Sequence, residues 1–384
     1  MSGHRTADAI IVGGGVHGCS AAWHLAKEGL KVVLFEAGYL SSGGSGRSAA
    51  GLRQHFGTEV NCRLAKYNLE CFPTLGEDLG LGDEYNLEFA QWGYLWVAYS
   101  DASYEQLEKN VKLQNSLDIP SEMLSPAEMK RRWPYFRVDR MTGGAFCHQD
   151  GHINPHTLTI AYGKAAEKSG AFVKTFTPVE KLLESGGKIT GVQAAGETWS
   201  APRVLLTAGP WSTPLAATVG VDLPVTPERH NLLVTEQIEP FNCPMTLCLD
   251  DGAYFKQLPN GSFFLGRDDP DEPKTMISGN SAKFLHGVTN SVLARFPGLS
   301  GVRVVHQWSG PYDVTPDHQA IIDWTPLEGL WTNCGWSGHG LQFGPSGGRL
   351  AKEMFFGEQT FVDIHNFRLS RFEEGDLFEE PAFI

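Results

Sequence analysis

Ala9-Ile-Ile-Val12, Gly13-Gly-Gly15-Val-His-Gly18 and Val32-Val-Leu-Phe-Glu36 decide how this chain begins to fold. Ala9–Val12 is a short apolar run of the kind a buried parallel strand needs. It leads straight into Gly-x-Gly-x-x-Gly. From Cys19 to Glu28, Ala21, Ala22, Leu25 and Ala26 recur at helical spacing, and Gly29 stops the helix. Val32–Glu36 reads as a second buried strand ending in an acid. Gly13 permits the tight turn, Gly15 lets a pyrophosphate approach the backbone, and Gly18 allows close helix–strand packing. Val16 and His17 complete the fingerprint, and the helix N-terminus then offers free N–H groups to phosphate. Glu36 can accept the ribose hydroxyls of an adenosine. A glycine fingerprint alone would also fit an ordinary turn; strand, turn, helix, strand and acid in order make it a dinucleotide site.

The fingerprint does not separate FAD from NAD, but the next segment does. Ser41-Ser-Gly-Gly-Ser45-Gly-Arg47-Ser48-Ala-Ala-Gly51-Leu-Arg53 is small, polar and glycine-rich where a nicotinamide enzyme would begin a second crossover helix. Such a loop suits an extended cofactor threading past backbone amides; the competing reading is a flexible linker. It is not a phosphate loop of the Walker type, because Gly-Lys-Ser/Thr is missing at the required spacing.

Composition narrows the class. A chain of 384 residues exceeds the size at which one core stops growing, so two domains are expected. Hydrophobic residues at 41% and charged residues at 20% fit a globular enzyme, and a formal charge of −13 argues against nucleic acid. The seven cysteines include no Cys-x-x-Cys pair and are odd in number, which favours free thiols in a reducing compartment. Met1–Ala9 has no apolar signal core, and no run of about 18 apolar residues occurs, so a cytoplasmic protein without a transmembrane segment is expected.

Further along, helix is expected over 61–82, 103–116, from Ser125 and from Pro155 to about Ser169. Strand is expected over 87–100, 171–176, 179–184, 189–194 and 204–208, and strands dominate 229–267. Helix returns near 281–296 and 345–356. The expected fold is α/β (α+β): a Rossmann-like FAD-binding domain in three pieces, 1–80, 145–225 and 325–384. An inserted, mostly antiparallel substrate domain would take 81–144 and 226–324. Ligands in such sheets lie at strand carboxyl ends and domain junctions.

The second informative region is Asn333-Cys-Gly-Trp-Ser-Gly338-His339-Gly340-Leu341-Gln342, a glycine-rich turn before the helix from Pro345. A helix N-terminus aimed at the flavin would stabilise the charge that builds there on reduction, and Gly338 and Gly340 would let the backbone approach. A plain turn before a helix is the alternative. Gly344-Pro-Ser346-Gly-Gly348 matches a hydrolase nucleophile pattern, but no strand immediately precedes it. His148, His152 and His156 sit four apart, yet Gly151 and Pro155 break the helix that would align them, so no metal site is expected.

Taken together, these features resemble the D-amino-acid oxidase-like FAD superfamily, in its sarcosine oxidase and heteromeric proline dehydrogenase β-subunit branch. The likeness is carried by Gly13–Gly18 with Glu36, by Ser45-Gly46-Arg47-Ser48, by Thr207-Ala208-Gly209-Pro-Trp211 and by Tyr312-Asp-Val-Thr-Pro-Asp317. Ser337-Gly-His-Gly340 and Phe367-Arg-Leu-Ser-Arg-Phe-Glu-Glu-Gly375 add to it. The resemblance implies FAD and oxidation of the C–N bond of a small secondary or N-alkylated amino acid. Hydride would pass to flavin N5, leaving an imine that hydrolyses. Oxygen or another acceptor would then reoxidise the flavin, and partner subunits of a heteromeric complex are admitted. Residue by residue, it implies that Arg53 holds the substrate carboxylate, that Tyr254 and Tyr312 line the pocket, and that Val179 contacts the adenine end.

Three departures stand out. Gly310 occupies the position where monomeric sarcosine oxidases tether FAD through cysteine, so noncovalent FAD is expected. Gln342 replaces their lysine after Gly-His-Gly, weakening the carboxylate clamp. Phe264 stands where a basic residue activates oxygen, with Lys256 nearby on the preceding strand. Gln342 also keeps alive a reading of another class, a flavin-binding electron-transfer or assembly subunit with a degenerate pocket.

Overall fold

The computed structural model describes residues 5–82, 85–269, 271–276, 279 and 281–381. The outermost residues of the first and last expected pieces, 1–4 and 382–384, therefore lie outside the described residues, as do 83–84, 270, 277–278 and 280 within the inserted piece.

Ala9–Val12 and Val32–Phe35 are strands in which every residue is buried, the signature of a sheet covered on both faces. They pair in parallel, and Ala9–Val12 also pairs in parallel with Val204–Leu206. The six-stranded sheet runs, from edge to edge, 321–324, 330–334, 204–206, 9–12, 32–35 and 172–174. All pairings are parallel except that of Ile321–Trp324 with Leu330–Cys334, so one edge strand is reversed. The first helix, Val16–Lys27, packs between Pro155–Lys168 and Gly344–Phe356.

Glycine sets the spacing of that packing. A Cβ on Gly18 would lie 1.9 Å from the Gly13 carbonyl oxygen; one on Gly344 would lie 2.3 Å from Val16 Cγ2 and one on Gly348 2.1 Å from Ser20 Oγ. The Gly344–Gly348 pattern is thus a helix–helix contact. Ser346 is fully buried, exchanging hydrogen bonds with the Asn68 amide at 2.7 and 3.0 Å.

The second large sheet has eight strands in the order 304–314, 226–235, 263–267, 253–257, 245–248, 94–98, 143–147 and 121–124. It is antiparallel except where Met245–Cys248 pairs in parallel with Tyr94–Ala98. Two boundaries drawn from the sequence cut through this arrangement. Gly143–Cys147 straddles 145 inside the eight-stranded sheet, and Ile321–Trp324 belongs to the six-stranded one. Hydrophobic runs this short do not reveal which sheet they join, because runs of the same kind are found in both sheets.

Local signals read well at helix starts. Ser125 Oγ accepts the Glu128 N–H, and Ser281 caps Ala282–Arg295 in the same way. The strand Glu197–Ser200 escaped sequence reading; it is polar and largely exposed, so it carries no alternation to detect. His148, His152 and His156 share no helix: Gly151–His152 is a short strand, and Pro155 starts the helix that carries His156.

Candidate functional site

A cavity of about 660 Å³ lies across the carboxyl ends of the strands at 9–12, 32–35 and 204–206, within the range of small-molecule sites. Gly13, Gly15, Val16, His17 and Glu36 line one wall. Gly13 has φ +113°, and a Cβ there would meet the Thr207 carbonyl oxygen at 2.6 Å. Gly15 differs: a Cβ would meet only Ser45 Oγ, at 3.1 Å, so its bareness leaves room for a ligand rather than for the chain. No side chain caps the helix that starts at Val16; the Val16 N–H reaches Ser45 Oγ at 3.1 Å. Gly18 lies behind the wall, as its packing role requires.

Glu36 is held in place from two sides. Oε2 accepts the Gly14 N–H at 2.7 Å, while Oε1 accepts the Gly38 N–H at 2.7 Å and the Ser42 hydroxyl at 3.2 Å. Carboxylate oxygens retain lone pairs beyond these bonds, and the residue still lines the cavity. Val179, Ala208, Gly209 and Trp211 form the neighbouring wall.

The segment 41–53, read from sequence as a glycine-rich loop, contains a helical turn at Gly44–Arg47. Tertiary bonds hold it: Arg47 Nη1 donates to the Ser309 carbonyl at 3.0 Å, and Trp308 Nε1 donates to the Arg47 carbonyl at 3.1 Å. Ser45, Arg47 and Ser48 line the cavity, whereas Gly46, expected from sequence to touch the cofactor, borders a second cavity instead, and a Cβ there would lie 2.1 Å from the Ser41 carbonyl oxygen.

At the far end stand Tyr312, Asp313, Gly338, Gly340 and Leu341. Gly335, Ser337 and Gly338 all have positive φ, at +75°, +49° and +93°, and the Tyr312 ring lies where a Gly338 side chain would go. Asp313 fixes this turn, its Oδ2 accepting the Gly335 N–H at 2.7 Å and its carbonyl accepting the Ser337 N–H at 3.0 Å. Burial without a countercharge lifts the Asp313 carboxyl to about 6. The helix expected from Pro345 begins at Gly344 and is preceded by a 3₁₀ turn, Gly340–Phe343, so that turn rather than the helix proper meets the cavity. His17 and Trp336 stack at 4.8 Å, and burial drives both His17 and His339 down to about 3, keeping them neutral. His17 lines the cavity beside Gly340, whose backbone partly opposes the effect of burial on its ring. The bare Gly15 and a helix start whose own N-cap residue offers no side-chain acceptor fit an elongated dinucleotide.

Arg53 does not line this cavity. It follows the short strand Gly51–Leu52 and is buried, its guanidinium carbon 4.7 Å from the Phe56 ring, 4.9 Å from Trp96 and 5.9 Å from Tyr94. Its N–H donates to Gln342 Oε1 at 2.7 Å. The caging residues went unnamed in the sequence reading. Tyr94 and Trp96 share a face of one strand by period two, but nothing local says which side that face meets.

Tyr254 and Tyr312 interact through their side chains, and burial pushes Tyr312 up to about 12 and Tyr254 well above its usual range. His230 stacks on Tyr312 at 3.7 Å. Lys256 lies elsewhere. It is almost fully buried, directly opposite Phe264 in the strand register, and lines the second cavity, of about 720 Å³. Arg47 and Ser48 border both cavities, so the 41–48 segment stands between them. Burial pulls the Lys256 ammonium down to about 7, only partly opposed by Glu88.

The family model described as DAO, FAD dependent oxidoreductase, matches residues 8–354. Among curated proteins, the chain is 27% identical to sarcosine oxidase subunit beta of Rhizobium meliloti, over 98% of this chain and 90% of that one. It is also 27% identical to 4-methylaminobutanoate oxidase (formaldehyde-forming) of Paenarthrobacter nicotinovorans, over 93% of this chain and 45% of that one. Among solved structures, L-proline dehydrogenase from P. horikoshii superposes with a TM-score of 0.92 at 26% identity, covering 98% of this chain and 100% of that one.

Proposed function

We propose that this chain, which belongs to the DAO family of FAD-dependent oxidoreductases and uses FAD as its cofactor, oxidises the C–N bond of a small secondary or N-alkylated amino acid. The observation that carries this reading is Arg53, a buried cation whose own N–H is tied to Gln342 at the end of the turn lining the cofactor cavity. Sarcosine oxidase and proline dehydrogenase among the relatives support the substrate class. The alternative, an electron-transfer or assembly subunit with a degenerate pocket, has no specific observation in its favour.

In this reading Gly13, Gly15, Val16 and the Glu36 carboxylate hold the adenosine and pyrophosphate end, with Ser45, Arg47 and Ser48 closing over it, Gly46 shaping their turn, and Val179 at the adenine. Ala208, Gly209 and Trp211 flank the middle, and Gly338, His339, Gly340 and Leu341 frame the flavin. Bound there, FAD would supply the two-electron acceptor for oxidation of the C–N bond, and the imine so formed would be open to hydrolysis by water. The chain's own part is orientation. Arg53 draws the substrate carboxylate to a fixed point, and the neutral Tyr254 and Tyr312 wall the pocket without adding charge. Neutral His17 and His339 leave the site uncharged near the ring. Lys256, whose amine burial lowers to about 7, is proposed to serve the electron acceptor rather than the amine, because it borders the other cavity.

The six-stranded and eight-stranded sheets are proposed as the FAD-binding and substrate-binding parts. Relatives named as beta subunits support a place in a heteromeric complex. No described helix is long and apolar enough to cross a membrane, and a cytoplasmic location is proposed.

The deciding experiment is anaerobic mixing of the purified yellow protein with N-methyl, cyclic and N-carboxyalkyl amino acids, followed at the flavin absorbance band. Bleaching by at least one secondary amine is expected. Bleaching by none of them, with dithionite still effective, would defeat the proposal.

A further inference from the structure

We propose that Gln342 is a positioning residue, which sets the substrate anchor Arg53 by gripping its backbone and so joins that anchor to the flavin-side turn. The inference rests on the reading of Arg53 given above and adds the device that aims it.

Arg53 sits in a segment held from two directions. On one side Gln342 Oε1 accepts the Arg53 N–H at 2.7 Å, a bond between residues 289 positions apart. On the other, Asp150 takes the next residues: Oδ2 accepts the Gln54 N–H at 3.1 Å and pairs with His55 Nδ1 at 2.9 Å, while Oδ1 accepts Gln54 Nε2 at 3.2 Å. Arg53, Gln54, Asp150 and Gln342 are all buried, so water does not replace any of these bonds. A buried backbone N–H that loses its acceptor must find another, and the chain shifts until it does.

The position of Gln342 makes this more than local satisfaction. It is the next residue after Leu341, which with Gly338 and Gly340 lines the cofactor cavity. Occupancy of that cavity therefore bears on the element whose side chain fixes Arg53. An arginine stem is long and rotatable, so small errors at its backbone grow at the guanidinium. The surrounding rings of Phe56 and Trp96 restrict the far end of the chain but carry no directional bond to the backbone.

The chemistry of the acceptor separates this from direct contact with substrate. A glutamine amide accepts through oxygen, whereas lysine has donors only. If Gln342 touched the substrate carboxylate, Gln342→Lys would add a cation and strengthen carboxylate binding. If Gln342 grips Arg53, Gln342→Lys removes the acceptor and weakens it.

The test titrates FAD-loaded protein with propionate and with propionamide, followed by the shift of the flavin absorbance band. The preference for propionate is the readout, because general loosening of the pocket weakens both ligands alike. Gln342→Leu and Gln342→Lys are each expected to lower that preference about tenfold. Arg53→Met should lower it by about two orders of magnitude. Unchanged preference in Gln342→Leu, or a preference kept or raised in Gln342→Lys, overturns the positioning role. Loss of FAD from both variants also overturns it, since Gln342 would then be a cofactor residue. Unchanged preference in Arg53→Met instead removes the underlying reading of Arg53.

Discussion

Arg371 and Asp317 form a fully buried two-point ion pair, Nε to Oδ2 at 2.7 Å and Nη2 to Oδ1 at 3.0 Å. Neither side chain is accessible to water. The remaining capacity is used as well: Arg371 donates to the carbonyls of Gln319 and Arg368 at 2.9 and 3.0 Å, and Asp317 accepts the Phe378 N–H at 3.3 Å. The C-terminal segment is thereby locked to the end of the Tyr312–Asp317 stretch. Its Glu380 continues inward to accept from Gly57 N–H, Thr58 Oγ1 and Asn61 Nδ2 at 2.6–2.9 Å, just beyond the Arg53 segment.

Arg371→Met leaves Asp317 charged and buried. Removing one partner of such a pair costs about 3–5 kcal/mol. A matching fall in denaturant stability is expected. The Arg371→Met/Asp317→Leu double variant should recover a large part of it. A double variant no more stable than the single one would contradict an unpaired buried charge as the cause.

Gly15 and Gly18 should fail in different ways. Gly18→Ala puts a methyl 1.9 Å from a backbone oxygen, and overpacking of this kind costs about 1–3 kcal/mol or more. The apoprotein itself should melt earlier. A Cβ added at Gly15 meets only the Ser45 hydroxyl, so the Gly15→Val apoprotein should melt near the parent temperature while FAD affinity collapses. Titration of each apoprotein with FAD beside its melting curve checks both. A yellow, normally loaded Gly15→Val protein would rule out this glycine as the pyrophosphate contact.

FAD should come away freely. No cysteine lines the cofactor cavity, and a side chain at Gly310 would press on Arg47 Cβ at 2.9 Å. Acid precipitation is expected to leave all the yellow colour in the supernatant. Flavin retained in the washed pellet would mean a tether.

Lys256 gives a pH signature with a definite sign. Its folded-state value, about 7, lies below the unfolded value near 10.5. The unfolded chain therefore binds more protons between the two, and stability rises with pH across that window. Lys256→Met abolishes this dependence. The variant's stability advantage should be greatest below pH 7 and shrink steadily toward pH 10.5, as read from paired melting curves. An advantage that grows with pH would have the wrong sign for a desolvated amine.

How far the sequence reached is clearest at single residues. The Gly13–Gly18 turn and the Ser125 helix cap were legible because each depends on neighbours within a few positions. A strand, a tight turn and a cap are decided by local sterics and local hydrogen bonds. Gln342 was legible as an anomaly but not as a partner of Arg53, and Asp150 not at all, because those contacts join residues 289 and 96 positions apart. The helical turn at Gly44–Arg47 was hidden for the same reason: the bonds that hold it run to Ser309 and Trp308. Lys256 shows the difference most sharply. Its place beside Phe264 was expected from sequence, but only the folded chain decided that Lys256 is buried at the border of a separate cavity, because the depth of burial of a strand side chain depends on what the sheet is packed against.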